Sequence, residues 1–212
     1  MKYSYVVIEG NIGAGKTTLA KMLAEDYQAN LLLEEFADNP FLPKFYQNPE
    51  KYAFHVELSF MATRYQQLVN KLPYQNLFKT FSLADFYFSK SLLFARITLS
   101  ESEYRLYRQI FNIIYKSIPR PDLYVYLHVD VDKLLNNIQQ RGRDYEKDLQ
   151  GDYLKQLEKE YFSYMKRQTD MRIVVLDMNN IDFVKNIPDY KRVKEAIFNK
   201  EHLLGINRHI FS

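Results

Sequence analysis

A β-branched apolar run, Tyr3 to Glu9, passes directly into Gly10-Asn11-Ile12-Gly13-Ala14-Gly15-Lys16-Thr17, and a helical pattern begins at Lys16 and continues to Tyr27. No other stretch restricts the fold so strongly. The spacing is G-x-x-x-x-G-K-[ST] between a strand and a helix, where glycines let successive backbone N–H groups curl around one point. The helix N-terminus adds partial positive charge, so the turn suits a phosphate, with Lys16 reaching its outer oxygens and Thr17 offering a hydroxyl to Mg²⁺. A nucleoside triphosphate is the implied ligand; hydrolysis, signalling and transfer chemistry all stay open. A glycine-rich turn with an incidental lysine is the plainer alternative, and the flanking elements speak against it.

Downstream, the apolar run Leu31 to Leu33 ends in Glu34 and Glu35, and a turn-rich stretch through Asp38, Asn39, Pro40 and Pro43 follows. The pattern predicts a long helix over about Pro49 to Lys71 with Pro73 as its stop. Thr80 to Phe86 reads as the third strand, Ser89 to Ala95 and Glu101 to Ser117 as helices, and Leu123 to Val129 as a central strand. Lys133 to Arg141 and Tyr153 to Gln168 are helical, Ile173 to Leu176 is the last clear strand, and Tyr190 to Lys200 is a closing helix. Strands separated by helices imply parallel pairing through right-handed crossovers, an α/β fold with helices on both faces of the sheet. With 212 residues, no repeat and no linker-like stretch, one domain over 1–212 is expected.

Composition narrows the functions. Lys and Arg total 29 against 26 Asp and Glu, and a net charge of +3 spread along the chain is too weak for a nucleic-acid binder. The chain has no cysteine, which excludes disulfides, thiolate zinc sites and a cysteine nucleophile and suits a reducing compartment, so the cytoplasm is expected. No apolar stretch approaches the roughly 20 residues that span a bilayer, and the N-terminal residues lead into the glycine loop rather than a cleavage site. Neither a membrane partner nor export is expected.

In an open parallel sheet, ligands sit beyond the carboxyl ends of the strands, where Glu34, Glu35 and Asp85 fall. One carboxylate there can take the proton of an acceptor hydroxyl, and another can hold the metal that neutralises a triphosphate. Position alone leaves solvated loop charges as an equal reading.

Further residues occur in a telling order: Glu9 and Gly10 to Thr18, then Glu34 followed by Asp38-Asn39-Pro40, Phe45-Tyr46, Tyr52-Ala53-Phe54, Arg64-Tyr65 and Arg141-Gly142-Arg143-Asp144-Tyr145-Glu146. With these the chain closely resembles the deoxynucleoside kinases, specifically the bacterial deoxyguanosine and deoxyadenosine kinase branch, from residue 5 to about 185. The resemblance implies a P-loop kinase fold with a helical lid segment at about 137–152, and transfer of the γ-phosphoryl group of ATP to a deoxynucleoside 5′-hydroxyl. It implies Glu34 as the base, because Glu35 stands where many members have proline. Gly10, Asn11, Ile12, Gly13, Ala14, Gly15, Lys16, Thr17 and Thr18 would cradle the phosphates, with Thr17 and Asp85 serving Mg²⁺. Tyr46 and Glu146 match residues that hold the sugar 3′-hydroxyl, Arg141 and Arg143 match lid arginines, and the stretch from Asn180 to Asp182 matches the loop that meets adenine. Arginine suits the lid because its rigid, non-titrating fork matches spreading phosphate charge. A two-fold homodimer is also implied, although an ordinary amphipathic face explains the Glu101 to Tyr115 helix equally well.

Departures from the family pattern sharpen the reading. Asp85-Phe86-Tyr87 stands where many members have an acid, arginine and serine, so the usual cation is missing and Lys90, one turn on, is a candidate replacement. Asn137 replaces a further lid arginine. Glu57 stands where most relatives place a glutamine, and Arg64, seven residues on, shares its helix face at roughly 10 Å. A carboxylate accepts only, which suits the N1–H and 2-amino donors of guanine and faces the bare N1 of adenine unfavourably, while Arg64 suits O6 and N7, so deoxyguanosine is the expected substrate, with deoxyadenosine or a broad deoxynucleoside range as the alternative. An internal Glu–Arg pair without a ligand is the alternative. Phe94 matches a base-stacking position, with plain core packing as its alternative. A monophosphate kinase would need more cations than Pro40 to Arg64 supplies, and a nucleotide switch would give Glu34, Tyr46, Glu57 and Arg64 no reason to assemble.

Overall fold

The N-terminal apolar run forms β1 (Tyr5–Gly10), and the glycine turn leads into α1 (Lys16–Tyr27) and β2 (Asn30–Leu32). Then come α2 (Leu42–Gln47), α3 (Pro49–Lys71), β3 (Ser82–Ala84), α4 (Lys90–Thr98), α5 (Glu101–Tyr115) and β4 (Leu123–His128). The chain continues through α6 (Val131–Arg141), α7 (Gly151–Lys166), β5 (Arg172–Asp177), α8 (Ile187–Phe198) and β6 (Gly205–Ile210). This computed structural model describes residues 2–35, 39–72, 81–143, 146 and 149–211, with Tyr46 described by its backbone alone. The chain divides into two compact units: Met1–Leu33, Gln75–Asp85 and Pro121–Ser212 form one, and Glu34–Tyr74 with Phe86–Arg120 form the other.

The first unit is a six-stranded sheet in the order β2-β3-β1-β4-β5-β6, with every neighbouring pair parallel. From β1 the chain fills one side of the sheet and then the other, so the carboxyl end of β1 is the switch point where such sheets bind ligands. Alternation assigns the two faces. Val6 and Ile8 of β1, Val125 and Leu127 of β4 and Leu176 of β5 share a core with Leu19 and Leu23 of α1, Leu134 of α6 and Val193 of α8. The intervening Tyr124 and Tyr126 turn to α7, where they meet Tyr164 and Tyr161 at ring-centroid distances of 6.3 and 5.2 Å. Helices therefore cover both faces, as expected. At about 1.5–3 kcal/mol for each fully buried Val, Leu or Ile, these faces are the unit's main stabiliser.

The second unit is helical. Asn48 caps α3 by accepting from the Lys51 amide at 3.2 Å, with Pro49 in the first turn where its missing N–H costs nothing. Ser100 and Glu103 form a capping box at the start of α5. Phe88 stacks on Phe111 at 5.0 Å and 15°, and Tyr107 meets Phe54 edge-on.

Two elements correct the sequence reading. Ile173 to Leu176 is not the last strand: β6 follows, parallel to β5 from Arg172↔Gly205 to Asp177↔Ile210. Its residues Gly-Ile-Asn-Arg-His-Ile are intermediate or exposed, because an edge strand needs no continuous apolar run. The short α2 hides among prolines, yet Pro43 sits in its first turn, where proline is tolerated. Pro73, the expected stop for α3, lies outside the described residues. Among the described residues no helix is long and apolar enough to cross a membrane.

Candidate active site

The glycine turn is shaped mainly by backbone. Gly13 has φ +81°, and a Cβ there would lie 2.8 Å from the Leu134 carbonyl oxygen of α6. Any other residue meets both left-handed strain and a backbone clash. Gly15 is also left-handed and precedes α1 without a side-chain cap, so the first N–H groups of the helix are directed at the turn. Neutral side chains tie the turn down. Asn137 donates to the Gly13 carbonyl at 2.9 Å, Asn11 donates to the Leu154 carbonyl at 2.8 Å, and Asn11 Oδ1 accepts the Ile12 amide at 2.9 Å. The fully buried Glu9 accepts from Tyr161 at 2.9 Å and from the Gly10 amide at 3.3 Å. Lys16 Nζ donates to the carbonyls of Gly10 and Asn11 at 2.9 and 2.8 Å, so the ammonium lies along the turn.

Thr17 donates its hydroxyl to the buried Asp85 carboxylate, which the Asp85 amide fixes beyond β3 by donating to the Leu32 carbonyl at 3.1 Å. The two expected metal-binding side chains are thus brought together. A hydroxyl and a carboxylate are hard oxygen donors of the kind Mg²⁺ takes alongside substrate phosphates. Thr18 is exposed in the first turn of α1.

The residues expected in a lid pair with one another. α6 ends at the left-handed Gly142, and Arg141 and Arg143 both pair with the buried Glu146 carboxylate. Asp144 and Tyr145 lie outside the described residues, as do Asp38 and the Tyr46 side chain. In the loop after β5, Asn180 is exposed and Asp182 Oδ1 accepts the Val184 and Lys185 amides at 3.2 and 3.0 Å. Sequence reasoning missed Lys133. Its ammonium donates to the Met178, Asn179 and Ile181 carbonyls at 2.8, 3.0 and 3.1 Å and so shapes the loop. A lysine in a helix carries no signal of such a role.

In the helical unit the adjacent glutamates part ways. Glu35 is exposed and pairs with Lys71. Glu34 keeps only 13 % of its side chain exposed, and its two oxygens are taken by different cations. Arg64 donates from Nε at 2.9 Å and approaches from its terminal nitrogen at 2.7 Å, both on Oε1, while Lys90 binds Oε2. Burial alone would raise the Glu34 pKa; Lys90 and Arg64 outweigh it and hold the carboxyl at about 2. Arg64 also donates to the buried Ser91 hydroxyl at 2.8 Å.

Glu57 is 4 % exposed. It accepts the Thr98 hydroxyl at 3.0 Å, and its backbone carbonyl accepts the Tyr107 hydroxyl at 3.2 Å. Burial pushes its pKa up to about 7, against the pull of Arg64 and the Thr98 hydrogen bond. Arg64 thus shares the α3 face with Glu57, as the seven-residue spacing implied, and directs its hydrogen bonds to Glu34 and Ser91. Phe94 is half-buried, with the Lys90 ammonium 5.4 Å from its ring centroid. Lys90, the expected candidate for the cation missing after Asp85, pairs with Glu34.

Comparison with known proteins agrees with this arrangement. The family model for deoxynucleoside kinase matches residues 6–203. The chain is 33% identical over 193 residues to the deoxyguanosine kinase of Bacillus subtilis (strain 168), covering 89% of this chain and 93% of that protein. It is 26% identical over 211 residues to the deoxyadenosine/deoxycytidine kinase of the same organism, covering 95% and 94%. In fold it is similar to the structure of deoxyadenosine kinase from M. mycoides with bound dATP, with a TM-score of 0.77 and 21% identity over 90% of this chain and 97% of that one. By the match over most of its length, the chain belongs to the deoxynucleoside kinase family and is a phosphotransferase.

Proposed function

We propose that this chain phosphorylates the 5′-hydroxyl of a purine deoxynucleoside, deoxyguanosine above the others, with ATP and Mg²⁺, acting in the cytoplasm as a homodimer in which the two units work as one kinase domain. The observation that carries the base preference is Glu57, a buried acceptor on one helix face with Arg64. The relatives include kinases named for deoxyguanosine, deoxyadenosine and deoxycytidine, so the choice of base rests on that pair of side chains. Support for the donor side is the glycine turn with Lys16. The Thr17 and Asp85 pair would hold Mg²⁺, which supplies charge neutralisation to the phosphates when bound.

Glu34 is the proposed proton acceptor. A carboxylate held at about 2 by two cations is a weak base. Its Oε2 gains basicity once Lys90 leaves it for the charge of incoming phosphate, so Lys90 supplies the cation that Phe86 cannot. Arg141 and Arg143 serve the phosphates in the same way on release from Glu146, which is then available with Tyr46 for the sugar 3′-hydroxyl. Asn180 and Asp182 border the adenine of ATP, and Phe94 stacks on the acceptor base. The test is to supply ATP labelled on its γ-phosphate with each of the four deoxynucleosides and, separately, each monophosphate. Label is expected on deoxyguanosine above all; labelled diphosphate overturns the proposal.

A further inference from the structure

We infer that Glu57 reads purines in two protonation states, guanine as the carboxylate and adenine as the carboxylic acid, so that pH sets which purine deoxynucleoside is preferred; the inference rests on the kinase reading above. The geometry is a cluster inside the helical unit. Glu57 lies on α3, nine-tenths buried, with the Thr98 hydroxyl of α4 on Oε1 and the Tyr107 hydroxyl of α5 on its backbone carbonyl. Among the described residues, the charged groups acting on it are Arg64 from its own helix, Lys90 from α4 and Glu34 in the segment after β2, with Tyr107 from α5 the other titratable neighbour. Arg64 and Lys90 contribute +2 and Glu34 contributes −1. Ionised Glu57 therefore brings the cluster to zero, and protonated Glu57 leaves it at +1. Neither state strands a large charge, and burial places the balance near neutral pH.

Chemistry assigns a base to each state. The edge of guanine presents N1–H and a 2-amino group, two donors that a carboxylate accepts together. The edge of adenine presents an N1 acceptor and a 6-amino donor. A carboxylate repels the first, but a carboxylic acid donates its O–H to N1 and accepts from the amino group through its carbonyl. In its protonated state Glu57 has the donor and acceptor pattern of the glutamine usual at this position. Thr98 tolerates both states because its hydroxyl donates to Oε1 whether that oxygen belongs to the carboxylate or is the carbonyl oxygen of the acid.

The experiment measures kcat/KM for deoxyguanosine and deoxyadenosine with MgATP from pH 6 to pH 8, on the full chain. Titrations common to both substrates, including those of Glu34 and the ATP phosphates, cancel in the ratio. The deoxyguanosine preference should rise by about tenfold to a hundredfold across that range, and Glu57→Gln should flatten it. A pH-independent ratio in the unmodified chain overturns the inference. Calorimetry at pH 7 in two buffers of different ionisation enthalpy gives a second reading that needs no variant. Deoxyguanosine binding should release protons and deoxyadenosine binding should take them up, the two differing by about one proton; equal proton exchange for both overturns the inference. Absence of transfer to either purine at every pH sinks the kinase reading instead, and the calorimetric signs then decide the inference separately.

Discussion

In the sheet unit the groups proposed to meet phosphate are backbone amides, bent into place by Gly13 and Gly15 and tied by the neutral side chains of Asn11 and Asn137. In the helical unit the groups proposed to act are full charges: Glu34 between Arg64 and Lys90, with Glu57 in the field of all three. A backbone cradle is indifferent to pH and tolerates most neighbours, whereas a buried charge cluster is stable only while every member has its counter-charge. The two regions should therefore fail in different ways.

The largest effect is expected at the centre of the charge cluster. Glu34→Gln leaves two buried cations without their anion, which should cost about 3–5 kcal/mol of stability, and it should lower kcat by about 10²–10⁴. Denaturant melts and turnover at saturating nucleoside check both, and an unchanged melt would break the contrast between the units. The same melts followed against pH have a defined sign. The Glu34 carboxyl lies below its ordinary 4.5, so its contribution is complete above that value and is lost as pH falls towards about 2.

A smaller effect, of the opposite kind, is expected in the cradle. Gly13→Ala should cost about 1–2 kcal/mol in left-handed strain, with a further penalty from the Leu134 carbonyl. It should abolish triphosphate binding while leaving nucleoside binding intact, as two separate titrations would read. Retained ATP affinity would mean the turn is held less rigidly than its contacts indicate. The smallest effect is expected at Lys133→Met, which removes the donor to three carbonyls of the loop after β5. KM for ATP should rise up to about tenfold with kcat preserved, a loss of uniform binding; a fall in kcat alone would remove Lys133 from that role.

The contrast also explains what could be read from the amino acids alone. The glycine turn announces itself because its pattern is local: eight consecutive residues carry the signature, although Asn137 and Asp85 that bind it come from elsewhere. The strands β1, β4 and β5 announce themselves by unbroken apolar runs that burial on both faces requires. The partnership of Glu34 with Arg64 and Lys90 does not, because the three are 30 and 56 positions apart and their meeting depends on how α3 and α4 pack. The spacing of Glu57 and Arg64 gave their common face but not their partners, since a helix repeat sets direction and leaves the choice among nearby acceptors to the fold. Glu34 and Glu35 look alike in sequence; burial alone separates a doubly paired carboxylate from an exposed one. Lys133 was invisible because its acceptors are backbone carbonyls, which every residue has.

The outermost strand has a consequence for how this protein keeps to itself. β5 is apolar along most of its length and would, if bare, offer a row of open amides and carbonyls to any extended chain that drifted past. β6 occupies that row and carries the exposed Arg208, a charge of the kind that discourages further strands from adding, while Asn207 turns back to donate to the Ile173 carbonyl of β5 at 3.2 Å. The polar, poorly patterned segment that hid β6 from a reader of the sequence is thus what shields the β5 side of the sheet from further growth.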